Sequence, residues 1–161
     1  MDVQLPQPYR NILGKYFSGI KYTIKKAYMD RKEADPKNGV QDLRKFLNLS
    51  DNDSCCDFYA VCQSDEGEWH ILMEDKATDR SKEVQEGINQ LSTTHQLITS
   101  QDNSLKDQNK WLAFMCNAKY NDPITQKTIS GKKCKVLINK MSGKPITLRS
   151  TDIVVFASSG S

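Results

Sequence analysis

Asp57, Glu74 and Lys76 are the residues whose types and spacing could do chemistry together. They belong to three consecutive stretches, Cys56-Asp57-Phe58-Tyr59-Ala60-Val61-Cys62, then Gln63-Ser64-Asp65-Glu66-Gly67-Glu68, then Trp69-His70-Ile71-Leu72-Met73-Glu74-Asp75-Lys76. Two apolar runs around a polar, Gly-containing connector are the sequence form of a β-hairpin with a loop of roughly four to six residues. Side chains alternate along a strand, so Glu74 and Lys76 share one side and Asp75 takes the other. A carboxylate and an ammonium on one face, beside an Asp from the neighbouring strand, can hold a divalent metal and a water. The same residues would also make an ordinary solvent-facing ion pair, worth at most about 1 kcal/mol. His70 shares the Glu74 face but lies about 13 Å back along the strand, too far to act as the base.

The elements that must position these residues follow from periodicity. Residues 1–9 contain two prolines and few apolar side chains and read as an N-terminal arm. From Tyr9 to Met29, Ile12, Leu13, Tyr16, Phe17, Ile20, Ile24 and Ala27 recur at three- and four-residue steps, which predicts an amphipathic helix. Lys15, Lys21, Lys25, Lys26 and Arg31 fall on its other faces, as a solvated surface or as a phosphate-contacting ridge. Asp35-Pro36 and Asn38-Gly39 signal turns, and Val40–Leu49 predicts a short helix. After the hairpin, Arg80 opens a second helix over about 80–98, with Val84, Ile88, Leu91, His95 and Ile98 as its apolar stripe. Ser100–Asn109 reads as a loop, and Lys110–Ala118 as a buried central strand. Residues 126–141 fit a short helix or a strand, the helix being favoured by the stop signal Ser142-Gly143-Lys144-Pro145. Ile146–Phe156 supplies one or two strands, and residues 157–161 a disordered tail.

The 161-residue chain is long enough for one domain with a full core, here residues 10–156. Apolar residues at 37% and charged residues at 27% describe a soluble globular protein. No apolar run is long enough to span a membrane, and the N-terminus lacks the pattern of a secretory signal, so a cytoplasmic location is expected. A net charge of +3 neither requires nor opposes nucleic-acid binding. The five cysteines are odd in number and contain no C-x-x-C. They read as buried free thiols, and their spacing suits no common zinc finger.

Asp57 followed by Glu74-x-Lys76, on paired strands after an N-terminal helix, resembles the PD-(D/E)XK nuclease superfamily. Cys56-Asp57-Phe58 is similar to the Cys-Asp-aromatic opening of some small members. Gly87-Ile88-Asn89-Gln90-Leu91 is similar to a Gln-Leu step on their following helix, and Trp111–Asn117 takes the place of the next core strand. The resemblance covers about residues 10–118. It departs from the family pattern in having Cys56 where a Pro precedes the Asp. It implies an α/β, restriction-endonuclease-like core, a central mixed β-sheet (the hairpin plus following strands) flanked by helices. It further implies a metal-dependent phosphodiesterase, an endonuclease acting on nucleic acid, with DNA as the foremost substrate. Asp57 and Glu74 would hold Mg²⁺ or Mn²⁺, with the backbone carbonyl of Asp75 as a further ligand. Lys76 would orient the attacking water or stabilise the charged transition state, and Gln90 would position the lysine or a phosphate. An additional acidic ligand would come from Asp30, Glu33, Asp35 or Asp42, none singled out by spacing.

The candidates for contact with nucleic acid are Lys21, Lys25, Lys26 and Arg80, and a second basic stretch runs through Lys127, Lys132, Lys133, Lys135, Lys140 and Lys144. The competing reading is a catalytically inactive member of the same fold that binds nucleic acid or protein. If the chain cuts duplex DNA, a homodimer presenting two sites to two strands is the expected assembly.

Overall fold

The computed structural model describes residues 3–6, 9–17, 19–65, 67–75, 81–106, 110–116, 127–129, 132–134, 140–141, 144–145 and 153–157. A short helix α1 (Tyr9–Tyr16) leads into strand β1 (Tyr22–Met29). A three-residue strand β2 (Val40–Asp42) runs directly into the single-turn helix α2 (Leu43–Phe46). The hairpin β3 (Phe58–Ser64) and β4 (Gly67–Asp75) follows, then the long helix α3 (Ser81–Gln101) and strand β5 (Lys110–Cys116). Two small ribbons, β6 (Lys127–Ile129) with β7 (Lys132–Cys134) and β8 (Lys140–Met141) with β9 (Lys144–Pro145), precede β10 (Ile153–Ala157).

Six strands form one sheet in the order β10-β5-β4-β3-β1-β2. The hairpin is antiparallel, β1 is antiparallel to β3, and β4 and β5 are parallel with α3 as the crossover between them. A parallel pair needs such a crossover because no tight turn can return the chain to the same end. The chain is therefore α/β with a central mixed sheet and helices on its faces. Alternation along the strands sorts two cores. Phe58, Ala60, Cys62, Trp69, Ile71 and Met73 meet Tyr9 and Leu13 from α1 and Phe17 just after it on one face. Tyr59, Val61, Leu72, Trp111 and Ala113 meet Leu91 and Ile98 from α3 and Leu43 and Leu47 around α2 on the other. Both tryptophans are core residues.

The amphipathic helix expected over Tyr9–Met29 is corrected: it stops at Tyr16, and Tyr22–Met29 is a strand. Gly19 adopts φ +77°, a left-handed conformation that breaks the helix at little steric cost. Beyond it, Tyr22-Thr23-Ile24 favours an extended chain. Val40–Leu49 is likewise not one helix but β2 and α2, with the Asp42 side chain accepting the Lys45 N–H at the start of the turn. The helix favoured for 126–141 is replaced, over its described residues, by β6, β7 and β8. The hairpin loop is shorter than expected, because pairing continues to Ser64↔Gly67. In the stretch read as an arm, Leu5 is buried, Val3 packs against the core and Gln4 N–H donates to the Asn38 carbonyl. Ala157 closes β10, and the tail from residue 158 lies outside the described residues. No helix among the described residues is long and apolar enough to cross a membrane.

Candidate functional site

The sheet topology brings the start of β3 and the ends of β1, β4 and β5 to one edge. The last hairpin pair is Phe58↔Met73, so one further step sets Asp57 opposite Glu74. Two hydrogen bonds fix this arrangement. The Asp57 N–H donates to Glu74 Oε1 at 3.0 Å, and the Asp75 N–H donates to Asp57 Oδ2 at 2.8 Å. Each carboxylate thus spends one oxygen on a backbone donor of the other strand, which helps to orient both. Glu74 is 2% exposed, on the α3 face behind Leu72. Asp57 is partly buried, and its Oδ1 takes no hydrogen bond among the described residues. Asp75 falls on the opposite, α1 side and is exposed, as strand parity predicts.

Asp57 is placed through its neighbours. The Cys56 N–H donates to Thr94 Oγ1 at 2.7 Å, both residues being fully buried, and the Thr94 hydroxyl donates to the Gln90 carbonyl at 2.8 Å. This pins α3 to the entry of β3. The Asp57 carbonyl accepts the Asp30 N–H at 3.2 Å, so the residue after β1 also reaches this edge. The Asp30 carboxylate is committed elsewhere. Its Oδ1 accepts Arg44 Nε at 2.7 Å and the Arg31 N–H at 2.7 Å. Arg44 also donates to the carbonyls of Ser50 and Asp53, clamping the loop that delivers Cys55, Cys56 and Asp57. The hydrogen bond to Asp30 raises the Arg44 pKa. Two hydrogen bonds from Ser50 hold Asp53 below the usual carboxylate range.

Gln90 stands one helical turn before Thr94, beside this entry. Its Oε1 is buried and has no hydrogen-bond partner among the described residues. It lines a hollow of about 340 Å³ with Ser54, Glu86, Asn89 and Thr93. Lys76 and Arg80 lie outside the described residues. Lys21 and the β1 residues Lys25 and Lys26 are exposed, on a strand and its approach rather than on a helix, and Lys25 pairs with Glu68 at 2.8 Å. Of the second basic stretch, Lys127, Lys132, Lys133, Lys140 and Lys144 lie on the small ribbons and Lys135 falls outside the described residues. Among the other acidic candidates, Asp35 accepts from Asn38 Nδ2 and Asp42 caps α2.

The donor chemistry suits a hard divalent cation. Asp57, Glu74 and the Asp75 carbonyl offer only oxygen, and Mg²⁺ is commonly held by one or two carboxylates, with waters and substrate phosphate completing its shell. No group of three or more His, Cys, Asp or Glu poised for a metal occurs among the described residues. Cys55, Cys56 and Cys62 are free and buried. Burial raises all their thiols, Cys55 to about 11 and Cys62 to about 12. Thr94 and Arg44 were not identified from sequence as parts of this site, and Asp30 was one of four acidic candidates that spacing did not separate. Thr94 follows Gln90 by one turn and Leu91 by three residues, the only local signal for it, whereas Asp30 and Arg44 meet only through the β1–β2 crossover.

No protein-family model, no curated protein and no solved structure matches this chain.

Proposed function

We propose that the chain is a metal-dependent phosphodiesterase, an endonuclease acting on nucleic acid, with DNA as its first expected substrate, and that its core is of the restriction-endonuclease-like kind. The observation that carries this reading is the reciprocal locking of Asp57 and Glu74 across the hairpin end. The order helix, strand, hairpin, helix, strand, with parallel β4 and β5, supports the same reading. So does the all-oxygen donor set.

Two carboxylates side by side repel, and backbone hydrogen bonds hold Asp57 and Glu74 in that arrangement before any ligand arrives. A divalent ion bound there would supply a Lewis acid for the phosphate and a nucleophilic water at neutral pH. Asp57 and Glu74 hold and orient it. Lys76, two residues beyond Glu74 in the sequence, would counter the charge that builds on the phosphoryl oxygens. Gln90 offers its side-chain amide at the rim, where it positions the lysine or a non-bridging phosphate oxygen.

The test is a titration of Mg²⁺ and Mn²⁺ into purified protein with plasmid, single-stranded DNA and RNA, alongside Glu74→Ala and Lys76→Ala. Metal-dependent cutting abolished by both substitutions, in folded proteins, supports the proposal and identifies the preferred nucleic acid. No cutting on any substrate and no metal binding would leave a non-catalytic binding module of the same fold.

A further inference from the structure

A second cleft, of about 330 Å³, opens on the same α3 face of the sheet, toward the opposite end of the strands from Asp57 and Glu74. Its walls include Lys25, Lys26, Tyr59, Glu68, His70 and Asp102. A register shift between Ile24 and Lys26 makes Lys25 an extra residue in β1. In a regular strand these two lysines would face opposite sides of the sheet. The bulge turns both into the cleft, while Ile24 and Ala27 stay with the α1 core. Lys25 is occupied by Glu68 at 2.8 Å. Lys26 is exposed, with no ion pair or hydrogen bond among the described residues.

The floor carries a buried polar chain. Tyr59 Oη lies 2.8 Å from His70 Nδ1, and His70 Nε2 lies 3.2 Å from Glu68 Oε1. Tyr59 is 2% exposed and His70 4%. The Glu68 carboxylate only accepts, so Nε2 carries the proton, Nδ1 accepts from the Tyr59 hydroxyl, and the Tyr59 oxygen keeps an acceptor lone pair. Burying such a chain costs desolvation that two apolar side chains would not incur. Asp102 commits Oδ1 to Ser104, leaving Oδ2 to accept from another donor. The cleft therefore combines a cation, carboxylate and phenolic acceptors, and the half-buried ring of Phe46.

We propose that this cleft binds one unpaired nucleotide with an amino-bearing base, its phosphate at Lys26 and its exocyclic amine at Asp102. A base offers flat apolar faces and an amine donor at its edge, and carboxylates accept from such amines. The volume lies at the small end of ligand sites, which suits one nucleotide. His70 precedes Glu74 by about 13 Å on the same sheet face, so a strand lying along β4 reaches both places. That the nucleotide belongs to the strand being cut rests on the phosphodiesterase reading, but the binding itself does not.

The experiment titrates CMP, AMP, UMP and inorganic phosphate into the full chain in metal-free buffer, read by calorimetry and by the indole fluorescence of Trp111, which stacks 4.8 Å from His70. CMP and AMP are expected to bind saturably and more tightly than UMP. Lys26→Ala should weaken CMP about tenfold, the scale of one charge-assisted contact, and leave the nucleoside cytidine unaffected. Glu74→Gln should leave CMP affinity unchanged. Absence of saturable binding, phosphate binding as tightly as CMP, or an unchanged affinity in Lys26→Ala would overturn the proposal. Loss of CMP binding in Glu74→Gln would place the nucleotide at the carboxylate pair and overturn it too. Because no metal or cleavage enters the assay, binding without nuclease activity would sink only the phosphodiesterase reading, and cleavage without binding only the cleft.

Discussion

Thr94→Val removes a single oxygen atom from the junction on which the candidate site depends. The Thr94 hydroxyl accepts the Cys56 N–H at 2.7 Å, and both residues are fully buried. Valine has the same shape, so no cavity forms, but the Cys56 N–H is left in the core without its acceptor. Leaving one buried backbone donor unsatisfied costs about 1–3 kcal/mol. The second bond, from the hydroxyl back to the Gln90 carbonyl, adds little because that carbonyl already serves the helix. For a domain of this length each kcal/mol lowers Tm by roughly 2–4 °C, so a loss of about 2 kcal/mol lowers it by about 4–8 °C. Thr94→Ser keeps the oxygen and gives up one methyl, about 0.8 kcal/mol. The expected order of stability is wild type, then Thr94→Ser, then Thr94→Val, by urea denaturation and thermal melts. Amide exchange at Cys56 should accelerate in the valine variant alone. A valine variant as stable as the serine variant, with Cys56 still protected, would refute the reasoning.

Three other perturbations have definite outcomes. Arg44→Ala removes one ion pair and two carbonyl contacts at a site where the Arg44 side chain is 18% exposed, and should cost about 1–3 kcal/mol in urea denaturation, with Arg44→Lys restoring only part. Burial lowers the His70 pKa from 6.5 despite the neighbouring Glu68. The unfolded chain therefore binds a proton that the folded chain resists, and His70 draws down stability as pH falls below about 6.5. In His70→Gln the stability loss between pH 7 and 5 should be shallower, and an equal slope would contradict this. Cys55, Cys56 and Cys62, all raised by burial, should resist iodoacetamide at pH 8 in the native protein and react after denaturation, as peptide mapping would report.

The hairpin was legible because both strands carry uninterrupted apolar runs and the turn falls between them, and from its register follows the pairing of Asp57 with Glu74. Residues 22–29 were not legible as a strand. Ile24 and Ala27 continue by chance the helical spacing of Ile20, and what makes their segment a strand is pairing with β3, far along the chain. The ribbons between 127 and 145 show the same limit, since strands of two or three residues carry too little periodicity to be told from a helix until partners are known. Gln90 was visible as part of a helix. Thr94 looked like an unremarkable polar residue between Leu91 and His95, and only the docking of α3 on Cys56 gives its hydroxyl a task. The bulge at Lys25 leaves no trace in sequence periodicity, so two lysines expected on a helical ridge line a cleft instead.

The proposed function requires that Asp57 and Glu74 together hold the divalent ion that cleavage needs. It is tested most directly by measuring Mn²⁺ binding by calorimetry and plasmid cleavage on the same preparations of wild type, Asp57→Asn and Glu74→Gln. These isosteres can still accept the backbone N–H groups that now fix the carboxylates, so the edge should stay folded. Saturable binding and cutting are expected in the wild type, with both lost in each variant while Tm without metal shows the fold intact. Wild-type binding or cutting that survives either substitution would contradict it.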